Sequence, residues 1–110
     1  MKIAILNCLK ANEVCGAASC LKAFNTKTRH FAEYKYIDTE LVSLARCNGC
    51  EAGLDKGFIE KLDRMVSEGA EVCHAGVCTV KRETGKECPT ISKALEYLEE
   101  KGVRAVRGTH

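Results

Sequence analysis

The sequence predicts a small doubly wound α/β domain, with a mostly parallel four-stranded sheet and helices on both faces. Apolar runs of strand length alternate with amphipathic segments of helix length, which is the pattern of a parallel sheet with helical crossovers. The runs are apolar without a break, as expected of strands that helices cover on both sides. With 45% hydrophobic residues among 110, the chain can build one compact core. We therefore expect a single domain over residues 1–110, with the flavodoxin-like strand order 2-1-3-4.

In the first half of the chain, residues 3–6 form a continuous apolar run and predict the first strand. Apolar residues at helical spacing over 16–24 predict a helix behind it. The stretch 28–36 fits either a short helix or a strand. Residues 41–45 predict the second core strand.

In the second half, residues 55–68 carry the strongest helical pattern, and the aspartate at its start can cap the helix. Residues 71–77 predict the third strand. After a polar loop, Cys88 and Pro89 open the last helix, because proline suits the first helical position. Residues 103–106 predict the final strand.

Charge and hydrophobicity exclude several classes of protein. The formal net charge is +2, from 17 basic and 15 acidic residues that are dispersed along the chain, so we expect no nucleic-acid partner. The chain also has no run of about 20 apolar residues, the length of a membrane span. The start of the chain has too short an apolar run for a signal peptide. We expect a cytoplasmic protein without a membrane partner.

Cysteine is the most unusual feature of the composition. In a reducing cytosol, such a density favours metal ligation or redox chemistry over disulfide bonds. The eight cysteines stand at positions 8, 15, 20, 47, 50, 73, 78 and 88.

Several of these residues follow predicted strands. Cys8 follows the first strand, Cys47 and Cys50 the second, and Cys78 the third, while His110 follows the fourth. The carboxyl ends of parallel strands share one edge and neighbours are about 4.8 Å apart, so these side chains can meet there. Open α/β sheets place their sites on that edge, where the strand order switches.

The segment Cys47-Asn48-Gly49-Cys50 is the sharpest local motif. Asn-Gly favours a tight turn that points both sulfurs one way, as in a metal site. The same spacing also fits a dithiol redox pair of the kind found in thioredoxin-like proteins.

Three further cysteines lie at predicted helix starts. Cys88 falls at an N-cap, where helix N–H groups favour a thiolate, so it is a ligand, a reactive thiol or a replacement for a serine cap. Cys15 precedes the first helix in a similar way. Cys20 fits a core position as well as a ligand.

Adjacent residues of the third strand point to opposite faces, which separates Cys73 from His74. We assign Cys73 to core packing. His74 is polar in an apolar strand, which favours a metal ligand or a donor to one over a core histidine. His110 is terminal, where disorder is the ordinary alternative, and His30 is a surface residue.

These residues, in this order and with the ending Gly108-Thr109-His110, resemble the CGGC-domain family over residues 3–110. The family is described as metal-binding, with zinc the usual suggestion, and membership implies no enzymatic activity. In this chain Asn48 replaces a glycine of the central motif, and Cys15-Gly16-Ala17 replaces the family's Cys-Pro-Gly. The ligand pool that the resemblance implies is Cys8, Cys15, Cys20, Cys47, Cys50, His74, Cys78, Cys88 and His110.

This pool exceeds one tetrahedral zinc site and predicts one or two thiolate-ligated and histidine-ligated ions, with zinc favoured. Such a centre would serve metal sensing, metal delivery or redox chemistry. An iron-sulfur cluster or a mononuclear iron is the first alternative. The second is a thiol-disulfide oxidoreductase that uses Cys47 and Cys50.

Overall fold

The computed structural model describes all residues from 1 to 110, and its centre is a four-stranded sheet whose strands, numbered along the chain, have the order 2-1-3-4. Each neighbouring pair of strands runs parallel. The predicted fold class and strand order are therefore confirmed, with a sheet that is parallel throughout. The strands are β1 (Lys2–Asn7), β2 (Glu40–Arg46), β3 (Val72–Ala75) and β4 (Arg104–Arg107).

Helices cover both faces of the sheet. One core contains the apolar side of α1 and the alternate β1 residues Ile3 and Ile5. The other contains α2, α3 and the intervening β1 residues Ala4 and Leu6. None of the helices has the length and hydrophobicity that a membrane span requires. The helices are α1 (Ala18–Thr26), α2 (Lys56–Ser67) and α3 (Pro89–Glu100).

The ambiguous stretch 28–36 contains a 3₁₀ helix, Arg29–Tyr34. It buries Phe31 and Tyr34 in the same core as α1. Two aromatic side chains three residues apart lie on one side of a 3₁₀ helix, a spacing between those of an α-helix and a strand, which explains why the pattern does not distinguish a short helix from a strand.

The third strand is shorter than the sequence predicts. It ends at Ala75, and the 3₁₀ helix Val77–Thr79 follows after Gly76. The Thr79 hydroxyl donates to the Gly76 carbonyl at 2.7 Å and closes this turn. Cys78 follows β3, as the sequence predicts, and lies within this 3₁₀ helix.

The start of α2 is fixed by a side-chain cap, as predicted. The carboxylate of Asp55 accepts the N–H of Phe58 at 2.9 Å and the amide of Asn48 at 3.0 Å. The cap thus joins α2 to the Cys47-Asn48-Gly49-Cys50 segment.

Replacing Asp55 by alanine should lower the urea midpoint of unfolding, because the Phe58 N–H and the Asn48 amide lose their acceptor. These two hydrogen bonds lower the pKa of Asp55, and the bond from the Phe58 N–H has the larger effect. The loss of stability in the variant should therefore be complete above about pH 4, the pKa of Asp55 in the unfolded chain. It should vanish as the pH falls through the lower pKa of Asp55 in the folded protein. Circular dichroism in urea at several pH values measures this. Lys56→Ala, an exposed change in the same turn, is the control, and equal midpoints for the two variants would contradict the cap.

Candidate metal centre

At the carboxyl ends of the two central strands, β1 and β3, the chain turns toward opposite faces of the sheet. From β1 the chain crosses to β2 through α1 on one face, and from β3 it crosses to β4 through α3 on the other. The chain therefore leaves β1 and β3 toward opposite faces. The edge between their ends, called the crevice below, is the usual position of sites in open α/β sheets. Cys8 and Cys78 meet there, with the N–H of Cys8 donating to the Cys78 sulfur at 3.2 Å.

Two more thiols belong to the same neighbourhood. Burial raises the pKa of Cys78, the N–H of Cys8 opposes the rise, and repulsion from the thiolate forms of Cys8, Cys20 and Cys15 adds to it. Cys15 and Cys20 therefore lie within electrostatic range of Cys78. Of the four thiol residues, Cys8 and Cys78 are in direct contact, through the N–H of Cys8.

The positions of Cys15 and Cys20 follow from the entry to α1. The N–H of Ala17 approaches the Cys15 sulfur at 3.4 Å. Cys20 lies in the first turn, is buried, and its sulfur is hydrogen-bonded to the Thr109 hydroxyl at 3.1 Å. The start of α1 thus holds one partly exposed thiol and one buried thiol beside the crevice.

The two cysteines of the central motif differ in environment. Cys47 is buried in the core under α2 and α3, and its sulfur accepts the N–H of Leu9 at 3.3 Å. Cys50 is exposed. A positive φ of 106° at Gly49 turns the chain between them.

Cys88 is at the N-cap of α3, as predicted, and its side chain makes no capping hydrogen bond. Its N–H donates to the Thr79 carbonyl at 2.8 Å, which ties it to the loop of Cys78. The side chain packs against the core that contains Cys47. Cys47 and Cys88 therefore share the α2 and α3 face of the sheet.

His74 lies in the core under α1, which also contains Cys20. Its Nδ1 is 2.8 Å from the Gly108 carbonyl, which can only accept, so Nδ1 carries the proton. Nε2 then accepts from the Tyr34 hydroxyl at 2.8 Å. Phe31 stacks on the ring at 4.3 Å between centroids. Both nitrogens are occupied, which favours the core-histidine alternative over a metal ligand.

Cys73 is fully buried on the opposite face from His74. Burial raises the pKa of this thiol to about 12. Its assignment to core packing is confirmed.

The end of the chain is docked onto the fold. The N–H of Gly108 donates to the Ala75 carbonyl at 2.7 Å, and Thr109 is fully buried. His110 is exposed and lines a surface depression with Ser19 and Lys22 of α1. It therefore lies beside α1, in a depression that no cysteine lines.

These donors fit a thiophilic metal better than magnesium or calcium, because sulfur predominates. In this conformation no three histidine, cysteine, aspartate or glutamate side chains are arranged as ligands of one ion. Binding would require the crevice sulfurs to move together, as in sites that form when the metal arrives.

Sequence reasoning missed two polar residues at this edge. Asn7 ends β1 with 1% of its surface exposed, and neither its amide nitrogen nor its amide oxygen has a partner. Arg46 is its neighbour in β2; its Nη2 donates to the Cys15 carbonyl at 3.2 Å, and its Nε is buried without a partner. The only signal was that each is the polar last residue of its strand.

Comparison with known proteins places the chain in a family. The CGGC domain model matches residues 2–110. The chain belongs to the CGGC-domain family. An uncharacterized protein of Methanocaldococcus jannaschii is 36% identical to it over 121 aligned residues, which cover 100% of this chain and 87% of the relative. No solved structure matches.

This CGGC domain has asparagine inside its central motif, and the structure explains why that residue fits. The positive φ falls on Gly49, so Asn48 needs no left-handed conformation. The Asn48 amide nitrogen donates to Asp55, and its oxygen accepts from the Lys61 ammonium at 2.6 Å. The side chain thus fastens the motif to α2.

Substituting His74 by phenylalanine should keep the ring packing but destabilise this domain by about 1–3 kcal/mol, because the buried Gly108 carbonyl loses its donor. Urea denaturation at neutral pH measures the change. A free energy of unfolding equal to that of the wild type would show that the two hydrogen bonds contribute nothing.

The same residue should make stability depend on pH. Burial lowers the pKa of His74 in the fold, so the unfolded chain takes up a proton first. The contribution of neutral His74 to stability is complete above about pH 6.5, the pKa of histidine in the unfolded chain. It is lost as the pH falls through the lower pKa of His74 in the folded protein. His74→Phe should remove this slope and His110→Gln should keep it. A slope that survives in His74→Phe would refute the assignment.

Proposed function

We propose that this protein binds one or two thiolate-ligated metal ions, with zinc favoured, at the carboxyl edge of its sheet. The observation that carries the proposal is the contact of the Cys8 N–H with the Cys78 sulfur at 3.2 Å, at the point where the strand order switches. Metal-bound thiolates accept such backbone N–H groups, which stabilise their negative charge.

The first site would use the crevice thiols Cys8, Cys15, Cys20 and Cys78. Four sulfurs match the commonest ligand set of structural zinc. The contact of Cys8 with Cys78 supports this grouping, and Cys15 and Cys20 flank the start of α1, the helix that follows Cys8 in the chain. If one of these four thiols does not bind the ion, His110, which is exposed beside α1, would supply the fourth ligand.

A second site would use Cys47, Cys50 and Cys88. Cys47 and Cys88 pack against one core, and the turn at Gly49 leaves Cys50 at the surface. Three thiols leave a fourth position for water or a partner's ligand, which suits metal delivery or sensing. His74 is outside both sites and would serve by holding the docked tail.

An iron-sulfur cluster is the first alternative, because every crevice ligand is a cysteine and a Cys-Pro pair is present at residues 88–89. Thiol-disulfide exchange by Cys47 and Cys50 is the second. It has less support, since α2 begins only at Lys56 and neither thiol lies in its first turn, where the helix dipole would lower the pKa.

Elemental analysis and a visible spectrum of protein purified without oxygen should show a colourless sample with about one or two zinc ions per chain, if it uses such tetrahedral sites. A brown sample would support an iron-sulfur cluster instead. Metal-free protein with a reversible Cys47–Cys50 disulfide would refute metal binding and support the oxidoreductase.

Paired substitutions should separate the sites. Cys8→Ser with Cys78→Ser should remove the crevice ion, and Cys47→Ser with Cys50→Ser should remove the second. Cys73→Ala, at the core thiol, is the control and should keep the full metal content. Full metal content in both double variants, measured by elemental analysis, would move the site elsewhere.

A further inference from the structure

Asn7 is the most unusual buried residue at the crevice. It ends β1, is 1% exposed, and its Oδ1 and Nδ2 make no hydrogen bond within the protein. Buried amides are nearly always paired, and an unpaired one destabilises the fold. An amide that only held the fold together would have its partners inside the fold.

The position of the amide relates it to the crevice sulfurs. A Cβ placed on Gly76 would lie 2.1 Å from the Asn7 Oδ1 and 3.4 Å from the Cys78 sulfur. The amide and this sulfur therefore flank the same glycine, which leaves them the room that a side chain would fill. A half-turn about χ2 of Asn7 exchanges its oxygen and nitrogen and directs an N–H donor to this side.

We propose that Asn7 is a positioning residue of the crevice metal centre. Its Nδ2 donates a hydrogen bond to a metal-bound thiolate, and Cys78 is the first candidate for this acceptor. The inference rests on the metal site proposed above and names a residue outside its ligands. A neutral thiol is a weak acceptor, whereas a thiolate accepts a strong, charge-assisted hydrogen bond. The amide thus gains its partner only when the sulfur becomes anionic.

The neighbouring strand adds a positive charge at the same point. Arg46 is the register partner of Asn7 in β2, and its Nη2 donates to the carbonyl of Cys15. Its buried Nε has no partner either. An anionic thiolate centre would satisfy both unpaired donors, Nδ2 of Asn7 and Nε of Arg46, which points to this chemistry and away from an apolar ligand.

The decisive variant is Asn7→Leu, which has a similar volume and no polar atoms. The metal-free variant should have the same urea midpoint as the wild type or a higher one, because an unpaired amide is removed. Its affinity for cobalt(II), a spectroscopic substitute for zinc, should fall at least about tenfold, the usual effect of losing a hydrogen bond to a metal ligand. Competition with a chelator, followed through the thiolate-to-cobalt charge-transfer band, measures the affinity.

The band itself gives a second readout. It should move to longer wavelength in Asn7→Leu, because the sulfur loses a donor that stabilises its lone-pair electrons. The matched control is Ile3→Leu, on the same strand and the same face but away from the edge, which should leave affinity and band unchanged.

The outcomes separate the two proposals. A wild-type chain that binds neither cobalt nor zinc overturns both. Wild-type affinity and an unshifted band in Asn7→Leu overturn the role of Asn7 alone. Weaker binding together with a lowered metal-free midpoint also overturns it, since Asn7 would then act on the fold. If Asn7→Leu does not fold, Asn7→Ala supports or refutes the role by the affinity and band position.

Discussion

The parallel pairing of β1 with both of its neighbours is the constraint on which the rest of the structure depends. Leu6 is level with Ala45 of β2 and with Ala75 of β3, so three strands end together at one edge. The crossover helices that follow β1 and β3 lie on opposite faces of the sheet, so the two loops leave this edge in different directions. Cys8 and Cys78, far apart in sequence, meet there as a consequence of topology.

Much of the fold could be predicted from the sequence, because periodicity records which side of an element is buried. The continuous apolar run of β1 and the capped pattern of α2 are such cases. The end of β3 was placed too late because Val77 continues the apolar pattern, although it lies in a 3₁₀ turn. That turn depends on Gly76, whose missing side chain makes room for Asn7 from another strand. Contacts of this kind leave no periodic signal.

The candidate site, like the fold, could be predicted only in part from the sequence. A parallel sheet alone implies that residues after its strands share one edge, so sequence reasoning could predict that cysteines such as Cys8 and Cys78 meet there. The state of each side chain depends on distant partners. His74 is a satisfied core histidine because Tyr34 and Gly108 reach its two nitrogens. Asn7 is a polar strand end in the sequence, and only the structure shows that its amide is buried without partners beside Gly76, which the Cys78 sulfur also flanks.

The distribution of apolar contacts bears on how the proposed metal site would relate to the fold. Zinc fingers fold only with metal because they lack a sufficient core. Here 14 buried residues form one core and 8 form the other, and only Cys47 and Cys20 in them are proposed ligands. The core therefore does not need the ion, whereas the crevice keeps an unpaired amide and a thiol whose pKa burial raises. The proposed metal site would therefore be an addition to a fold that its apolar cores already stabilise, unlike the zinc of a zinc finger.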